Sequence, residues 1–129
     1  MLVDDNPAIV RQTISLLPPE FEVVEVLENA EQLVASIALH KPDLIVLDIT
    51  LPGENGLDAA ARLEKAGCTA KIVFLTVHTD PDYARAAFAA GALGYVVKPR
   101  LASDLAMALH AALAGNRFIS PCVDLKEVQ

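Results

Sequence analysis

The sequence predicts a doubly wound α/β domain, a five-stranded parallel sheet with five helices covering both of its faces. Three observations predict it. Strand-like apolar runs alternate five times with helix-like amphipathic segments along the 129 residues. The runs Leu44-Ile45-Val46-Leu47 and Ile72-Val73-Phe74-Leu75 are apolar throughout, as strands buried on both faces must be. Single helices joining successive strands demand parallel pairing with right-handed crossovers.

Met1–Val3 is the stub of a first strand. Asn6-Pro7 supplies an N-cap and a first-turn proline for a helix with Ile9, Val10, Thr13, Ile14 and Leu17 on one face, stopped by Pro18-Pro19. A second strand is expected over Phe21–Leu27. Asn29 then caps a helix carrying Ala30, Leu33, Val34, Ile37 and Ala38, closed before Pro42. Asp43–Asp48 forms the third strand and runs into a Pro52-Gly53 turn. Asn55-Gly56 opens a helix with Leu57, Ala60, Ala61 and Glu64 that ends at Gly67. Lys71–Val77 is the fourth strand, and Asp80-Pro81 repeats the cap-plus-proline start for an alanine-rich helix ending at Gly91. Gly94–Val97 is the fifth strand. The last helix, about Ala102 to Ala114, buries Leu105, Leu109 and Leu113 before Gly115 ends it.

Composition narrows the function classes. Hydrophobic residues make up 53% and aromatics only 5%, so the core is aliphatic and alanine-rich. The stretch from Ala86 to Val97 is broken by Gly91 and Gly94 and falls well short of the roughly 18 apolar residues that span a bilayer. The start Met1-Leu2-Val3-Asp4-Asp5 is acidic where a signal peptide is basic. A soluble, cytoplasmic protein without a membrane partner is expected. Cys68 and Cys122 have no CxxC or metal spacing and read as unpaired thiols in a reducing compartment. A net charge of −7 argues against direct nucleic-acid binding by this segment, because such binding is dominated by basic contacts to phosphate. Binding through a separate domain stays open.

In a parallel sheet the residues that follow each strand gather along one edge, where open α/β sheets place their ligands. Here that edge collects Asp4, Asp5, Asp48, Thr76 and Lys98. Each has a plain alternative: a strand-end Asp as a cap or a solvated loop residue, Lys98 beside Pro99 as a surface lysine, Thr76 as a β-branched strand residue. Together they ask for more. At about 4 Å two like charges cost roughly 4 kcal/mol at an effective dielectric of 20. A divalent cation relieves that repulsion, and hard oxygen ligands with room for water suit Mg2+. A carboxylate, a hydroxyl, a lysine and a metal form a site for a phosphoryl group, which a carboxylate can take covalently.

These residues resemble the receiver domain of two-component response regulators. The resemblance rests on Leu2-Val3-Asp4-Asp5-Asn6-Pro7, on Leu47-Asp48-Ile49-Thr50-Leu51-Pro52-Gly53 with Gly56, on Phe74-Leu75-Thr76, on Gly91-Ala92 to Gly94-Tyr95, and on Lys98-Pro99. It covers residues 1 to about 115. The run Gly91 to Lys98 and the ending Gly115 to Pro121 are similar to the receiver half of NarL/LuxR-type regulators. The resemblance implies a flavodoxin-like sheet of order 2-1-3-4-5, a receiver domain over 1–115, and a tail or linker start over 116–129. It implies Asp48 as phosphoacceptor, Asp5 as direct Mg2+ ligand, Asp4 as a direct or water-mediated one, and the Thr50 carbonyl as a further ligand. Lys98 would pair with phosphoryl oxygens, Thr76 would swing towards the phosphate, and Tyr95 would follow it inward to re-form a surface of the fourth helix, fifth strand and fifth helix. The implied partner is a sensor histidine kinase, with homodimerisation on phosphorylation and control of transcription through a DNA-binding domain outside the segment. Such a domain receives and loses its own phosphoryl group and is not a turnover enzyme.

Some features sit apart from the pattern. The first strand is short, so its neighbours should be under-covered at their amino ends, and the natural chain could begin earlier. Val77 follows the switch threonine where receivers commonly carry a small residue, and its bulk should slow phosphodonor access. The subfamily normally carries a helix-turn-helix after its receiver, and none is expected within residues 122–129. His78 falls near the expected pocket but reads as a loop histidine, while His40 and His110 read as helix-surface residues. The alanines of the fourth and fifth helices serve either as close-packing faces or as a flat dimer interface. Three rivals remain: an aspartyl-nucleophile phosphatase, disfavoured by Thr50 where a second Asp is wanted; a flavodoxin-like electron carrier, disfavoured by Asp4-Asp5 where a phosphate loop belongs; and a receiver that acts without phosphorylation. A stand-alone receiver working by protein contact or phosphorelay is the alternative setting.

Overall fold

The structure is a computed structural model in which residues 1–123 are described. Its elements are β1 (Leu2–Val3), α1 (Pro7–Leu16), β2 (Val26–Leu27), α2 (Leu33–His40), β3 (Leu44–Leu47), α3 (Gly56–Lys65), β4 (Lys71–Thr76), α4 (Pro81–Ala89), β5 (Gly94–Val97), α5 (Leu101–Leu113) and β6 (Phe118–Ile119). The sheet order is β2-β1-β3-β4-β5-β6 and every pairing is parallel. The expected order 2-1-3-4-5 holds, and a sixth, two-residue strand adds to the five, with Gly94 paired to Phe118 and Tyr95 to Ile119.

Alternate residues of each strand feed two separate cores, which is why the runs are apolar throughout. Val3, Ile45, Leu47, Ile72, Phe74, Tyr95 and Val97 pack with α2, α3 and α4 through Leu33, Ala59, Ala60, Leu63, Ala84 and Ala87. Leu2, Val46, Val73, Leu75 and Val96 pack with α5 through Leu101, Leu105, Ala108, Leu109 and Ala112, and with Ile9 and Val10 of α1. The buried alanines of α4 and α5 are therefore close-packing positions, while Ala86 and Ala89 face solvent. Among the described residues no helix is long and apolar enough to cross a membrane.

The caps behave as their residue types require. Asn6, Asn55 and Asp80 each accept from backbone N–H groups in the turn that follows them, a contribution of about 1 kcal/mol apiece. Gly67, Gly91 and Gly115 end their helices with positive φ.

Several expectations are corrected. The strand expected over Phe21–Leu27 is reduced to Val26–Leu27, because its one neighbour, β1, has only two residues to pair. Asn29 accepts from the Glu31 N–H in a turn, and α2 begins later, at Leu33. With that later start Leu33 is buried and Ile37 half-buried, while Val34 and Ala38 face solvent. Ile14 and Leu113, placed on inward faces, are 43% and 47% exposed. A cavity of about 480 Å³ lies at the amino ends of the strands, lined by Met1, Leu2, Val24, Asp43, Leu44 and Leu113 among others.

Candidate phosphoryl site at the carboxyl edge of the sheet

Sheet register builds the site. Val3 pairs with Leu47, so Asp4 and Asp48 leave adjacent strands side by side. The Asp48 N–H donates to the Val3 carbonyl at 3.0 Å, and the Asp4 N–H to the Leu27 carbonyl at 3.0 Å, which anchors both backbones. Thr76 pairs with Val97, so the residue after β5, Lys98, arrives at the same edge.

There the Lys98 Nζ lies 3.0 Å from Asp48 Oδ2 and 3.1 Å from Asp4 Oδ2. It donates a hydrogen bond to Asp48 Oδ2. Asp4 and Asp48 are buried, whereas Asp5 faces solvent. One carboxylate oxygen from each of the three acids lies within 4.8 Å of the others. Asp48 Oδ1 accepts from the Thr50 N–H at 3.2 Å, and Asp4 Oδ1 accepts from the Asn6 N–H at 2.8 Å.

Two carboxylates and one ammonium leave this cluster short of positive charge. Burial raises the Asp48 carboxyl above its ordinary value, the Lys98 hydrogen bond opposes the rise, and the charge of Asp4 adds to it. Lys98 is also raised: burial pulls its ammonium down, but its contacts with Asp48 and Asp4 outweigh that. Asp4 Oδ2, though buried, makes no hydrogen bond. Lys98 neutralises part of its charge from 3.1 Å without being aligned to fill its lone pairs. A buried, unfilled carboxylate oxygen beside two more carboxylates fits a hard divalent cation with an open, water-facing side.

Thr76 and Tyr95 are both fully buried, and both are tied to His78. The His78 N–H donates to Thr76 Oγ1 at 3.2 Å, and the Tyr95 hydroxyl donates to the His78 carbonyl at 2.7 Å. Tyr95 thus holds the inward position. The His78 ring stacks on Tyr83, with centroids 4.1 Å apart and planes 7° apart, and its Nε2 lies 3.2 Å from Thr50 Oγ1. His78 is therefore no plain loop histidine, since it joins the β3 and β4 loops across the mouth of the site. Its role was hidden because two of its bonds use the backbone, which leaves no mark on residue type. Val77 stands 62% exposed beside it.

Gly56 completes the frame. A Cβ there would overlap the Asp48 carbonyl oxygen, and its N–H donates to the Ile49 carbonyl at 2.6 Å. Only glycine lets the start of α3 close on the Asp48 loop.

The model of the response regulator receiver domain matches residues 1–110. The chain belongs to that family. Across 121 residues this receiver is 38% identical to the positive alginate biosynthesis regulatory protein of Pseudomonas aeruginosa, covering 91% of this chain and 48% of that protein. It is 36% identical over 123 residues to the nitrate/nitrite response regulator NarL of Escherichia coli, covering 93% of this chain and 56% of that protein. Among solved structures it superposes on a LuxR-family two-component response regulator from Aurantimonas sp. SI85-9A1 with a TM-score of 0.88 and 34% identity, over 95% of this chain and 89% of that one. The receiver therefore groups with the NarL/LuxR type, and it spans about half the length of the curated relatives it matches. Receiver domains of response regulators are signalling domains that interact with histidine kinases.

Proposed function

We propose that this receiver takes a phosphoryl group from a sensor histidine kinase onto Asp48 and uses it to change a protein-binding surface. The observation that carries the reading is the Lys98–Asp48–Asp4 cluster, in which a buried carboxylate of raised basicity meets a fixed ammonium at 3.0 Å. A carboxylate oxygen of Asp48 attacks phosphorus, the P–O bond forms, the P–N bond to the donor histidine breaks, and the imidazole leaves with the electron pair. Lys98 then pairs with a phosphoryl oxygen, and the Thr50 N–H keeps the acyl side of Asp48 oriented. Asp5, Asp4, Asp48 and the Thr50 carbonyl would hold magnesium, which supplies charge neutralisation for the equatorial oxygens when bound.

The switch is a population shift between two packings of the β4–α4 loop. Thr76 leaves the His78 N–H to bond the phosphoryl group, and Tyr95 keeps the loop in register through its bond to the His78 carbonyl. The surface of α4, β5 and α5 changes with them and supports homodimerisation. A relative named transcriptional regulatory protein DesR, of Bacillus subtilis, favours transcription control, which would act through a DNA-binding part outside these residues. A stand-alone receiver acting by protein contact or phosphorelay is the other setting.

The test is acetyl phosphate or beryllofluoride with Mg2+, read by intact mass and NMR, on the parent and on Asp48→Asn. Modification of the parent alone is expected. Modification of both proteins, or of neither, would overturn the reading.

A further inference from the structure

A second polar network lies behind Lys98, away from the cluster just described. Asp104 of α5 is fully buried. Its carboxylate accepts from Arg100 Nε at 2.9 Å and from a terminal guanidinium nitrogen of Arg100 at 3.3 Å. Asp104 Oδ2 also accepts from the Ser120 hydroxyl at 2.7 Å. Ser120, itself fully buried, grips β5 twice: its N–H donates to the Tyr95 carbonyl at 2.9 Å, and its Oγ accepts from the Val97 N–H at 3.1 Å.

We infer that Ser120 and Asp104 are positioning residues for the chemistry at Asp48, and that residues 118–120 are mechanically joined to it. The inference rests on the reading of Asp48 given above. Val97 immediately precedes Lys98, and Lys98–Arg100 form a single 3-10 turn. The network fixes that turn at both ends, through the Val97 amide before Lys98 and the Arg100 guanidinium after it. The Lys98 ammonium reaches Asp4 and Asp48 in only some of the side chain's rotamers, so the position and direction of its backbone limit how often it is held there. The other hold of Ser120, on the Tyr95 carbonyl, places the segment that follows α5 against the residue whose side chain bonds His78. A change at Lys98 or Tyr95 is thus felt at residues 118–120 through three hydrogen bonds and one ion pair. Linkage makes the reverse equally true.

A buried carboxylate is a costly way to close a strand edge that apolar side chains could cover. Its donors also choose the geometry. Asp104 accepts from Arg100 and Ser120 at once, with the Ser120 hydroxyl donating to Asp104 while accepting from Val97. Threonine retains the hydroxyl that makes both side-chain bonds, and alanine lacks it.

The experiment titrates beryllofluoride with Mg2+ into the 129-residue protein as parent, Ser120→Ala, Ser120→Thr, Asp104→Asn and Asp48→Asn, at a temperature where each is folded. It follows the NMR signals of the Val97 and Lys98 amides and the hydrogen exchange of residues 118–120. Loss of the two Ser120 hydroxyl bonds, with its backbone bond to Tyr95 kept, is expected to weaken beryllofluoride binding by about fivefold, as if one net hydrogen bond of the two reached Lys98. Ser120→Thr should restore it, and beryllofluoride should slow exchange at residues 118–120 in the parent. A purely structural role would lower the melting temperature but leave the affinity of the folded protein unchanged. Equal affinity in parent and Ser120→Ala overturns the inference alone. If Ser120→Ala does not fold, unchanged exchange at residues 118–120 on binding to the parent overturns it. A parent that shows no Asp48-dependent binding overturns the reading of Asp48, and this inference with it.

Discussion

Lys98 and Asp48 meet at 3.0 Å across a separation of fifty residues, with Asp4 Oδ2 3.1 Å from the same ammonium. One cation therefore serves two buried carboxylates, and the mismatch sets how the protein responds to pH, metal and substitution.

Asp48→Asn should raise the apo melting temperature at neutral pH. The Asp48 carboxyl is raised by burial, so the folded state binds its proton more tightly than the unfolded chain does. That preference favours folding below the ordinary carboxylate range and is lost as pH rises through the folded value, leaving a buried charge that costs stability. The gain in the variant should fade as pH falls from the raised folded value down to the ordinary carboxylate range, and be gone below it. Thermal melts in EDTA across this range check it, and a variant less stable than the parent at pH 7 would count against the burial argument.

Mg2+ should stabilise the parent, by about 1.4 kcal/mol at ten times its dissociation constant. Asp5 is exposed, its carboxylate takes part in no salt bridge among the described residues, and one of its oxygens lies within 4.8 Å of oxygens of Asp4 and Asp48, so Asp5→Asn should abolish the Mg2+ effect while raising the apo melt slightly by removing one of three like charges. Differential scanning fluorimetry with and without the ion reads both. An undiminished Mg2+ shift in the variant would remove Asp5 from the ligand set.

His78→Ala removes the stack on Tyr83 and the bond to Thr50 but keeps both backbone bonds to Thr76 and Tyr95. Phosphorylation should survive, and the phosphoryl group should be lost severalfold faster because water reaches the site through the opened mouth. The half-life of the phosphorylated protein by intact mass decides the matter. The same half-life in both proteins refutes the bridging role.

Val77→Ala should react faster with acetyl phosphate if the bulk of this 62% exposed side chain, next in sequence to Thr76, slows the donor's approach. Its melt should move by no more than about 0.5 kcal/mol, as for other exposed positions. Equal rates would show that its bulk does not limit access.

Gly56→Ala should destabilise the fold by about 1–3 kcal/mol, because the added Cβ overlaps the Asp48 carbonyl and forces the two backbones apart. Urea denaturation measures this. A neutral effect would mean that the α3 start can retreat freely from the Asp48 loop.

Much of the fold was legible because its signals are local. Asn6-Pro7 and Asp80-Pro81 start helices through their own side chains, and the short apolar run Leu44–Leu47, soon followed by Pro52-Gly53, reads as a strand buried on both faces. The strand at Phe21–Leu27 was misjudged because alternation permits a strand but a neighbour must exist to pair with it, and β1 offers two residues. Strand β6 was missed for the mirror reason. Phe118-Ile119 has little pattern of its own and becomes a strand only because the β5 edge is open to it.

The same division runs through the site. Sequence alone determined that Asp4, Asp5, Asp48, Thr76 and Lys98 share one edge, since parallel strands all end on the same side. Only the tertiary structure decided which of them touch. It seated the Lys98 ammonium between Asp4 and Asp48, tied Thr76 and Tyr95 to the backbone of His78, and brought Ser120 back to Val97. Those relationships depend on strand register and on backbone donors, which every residue type carries alike, so no pattern of side chains along the chain can announce them.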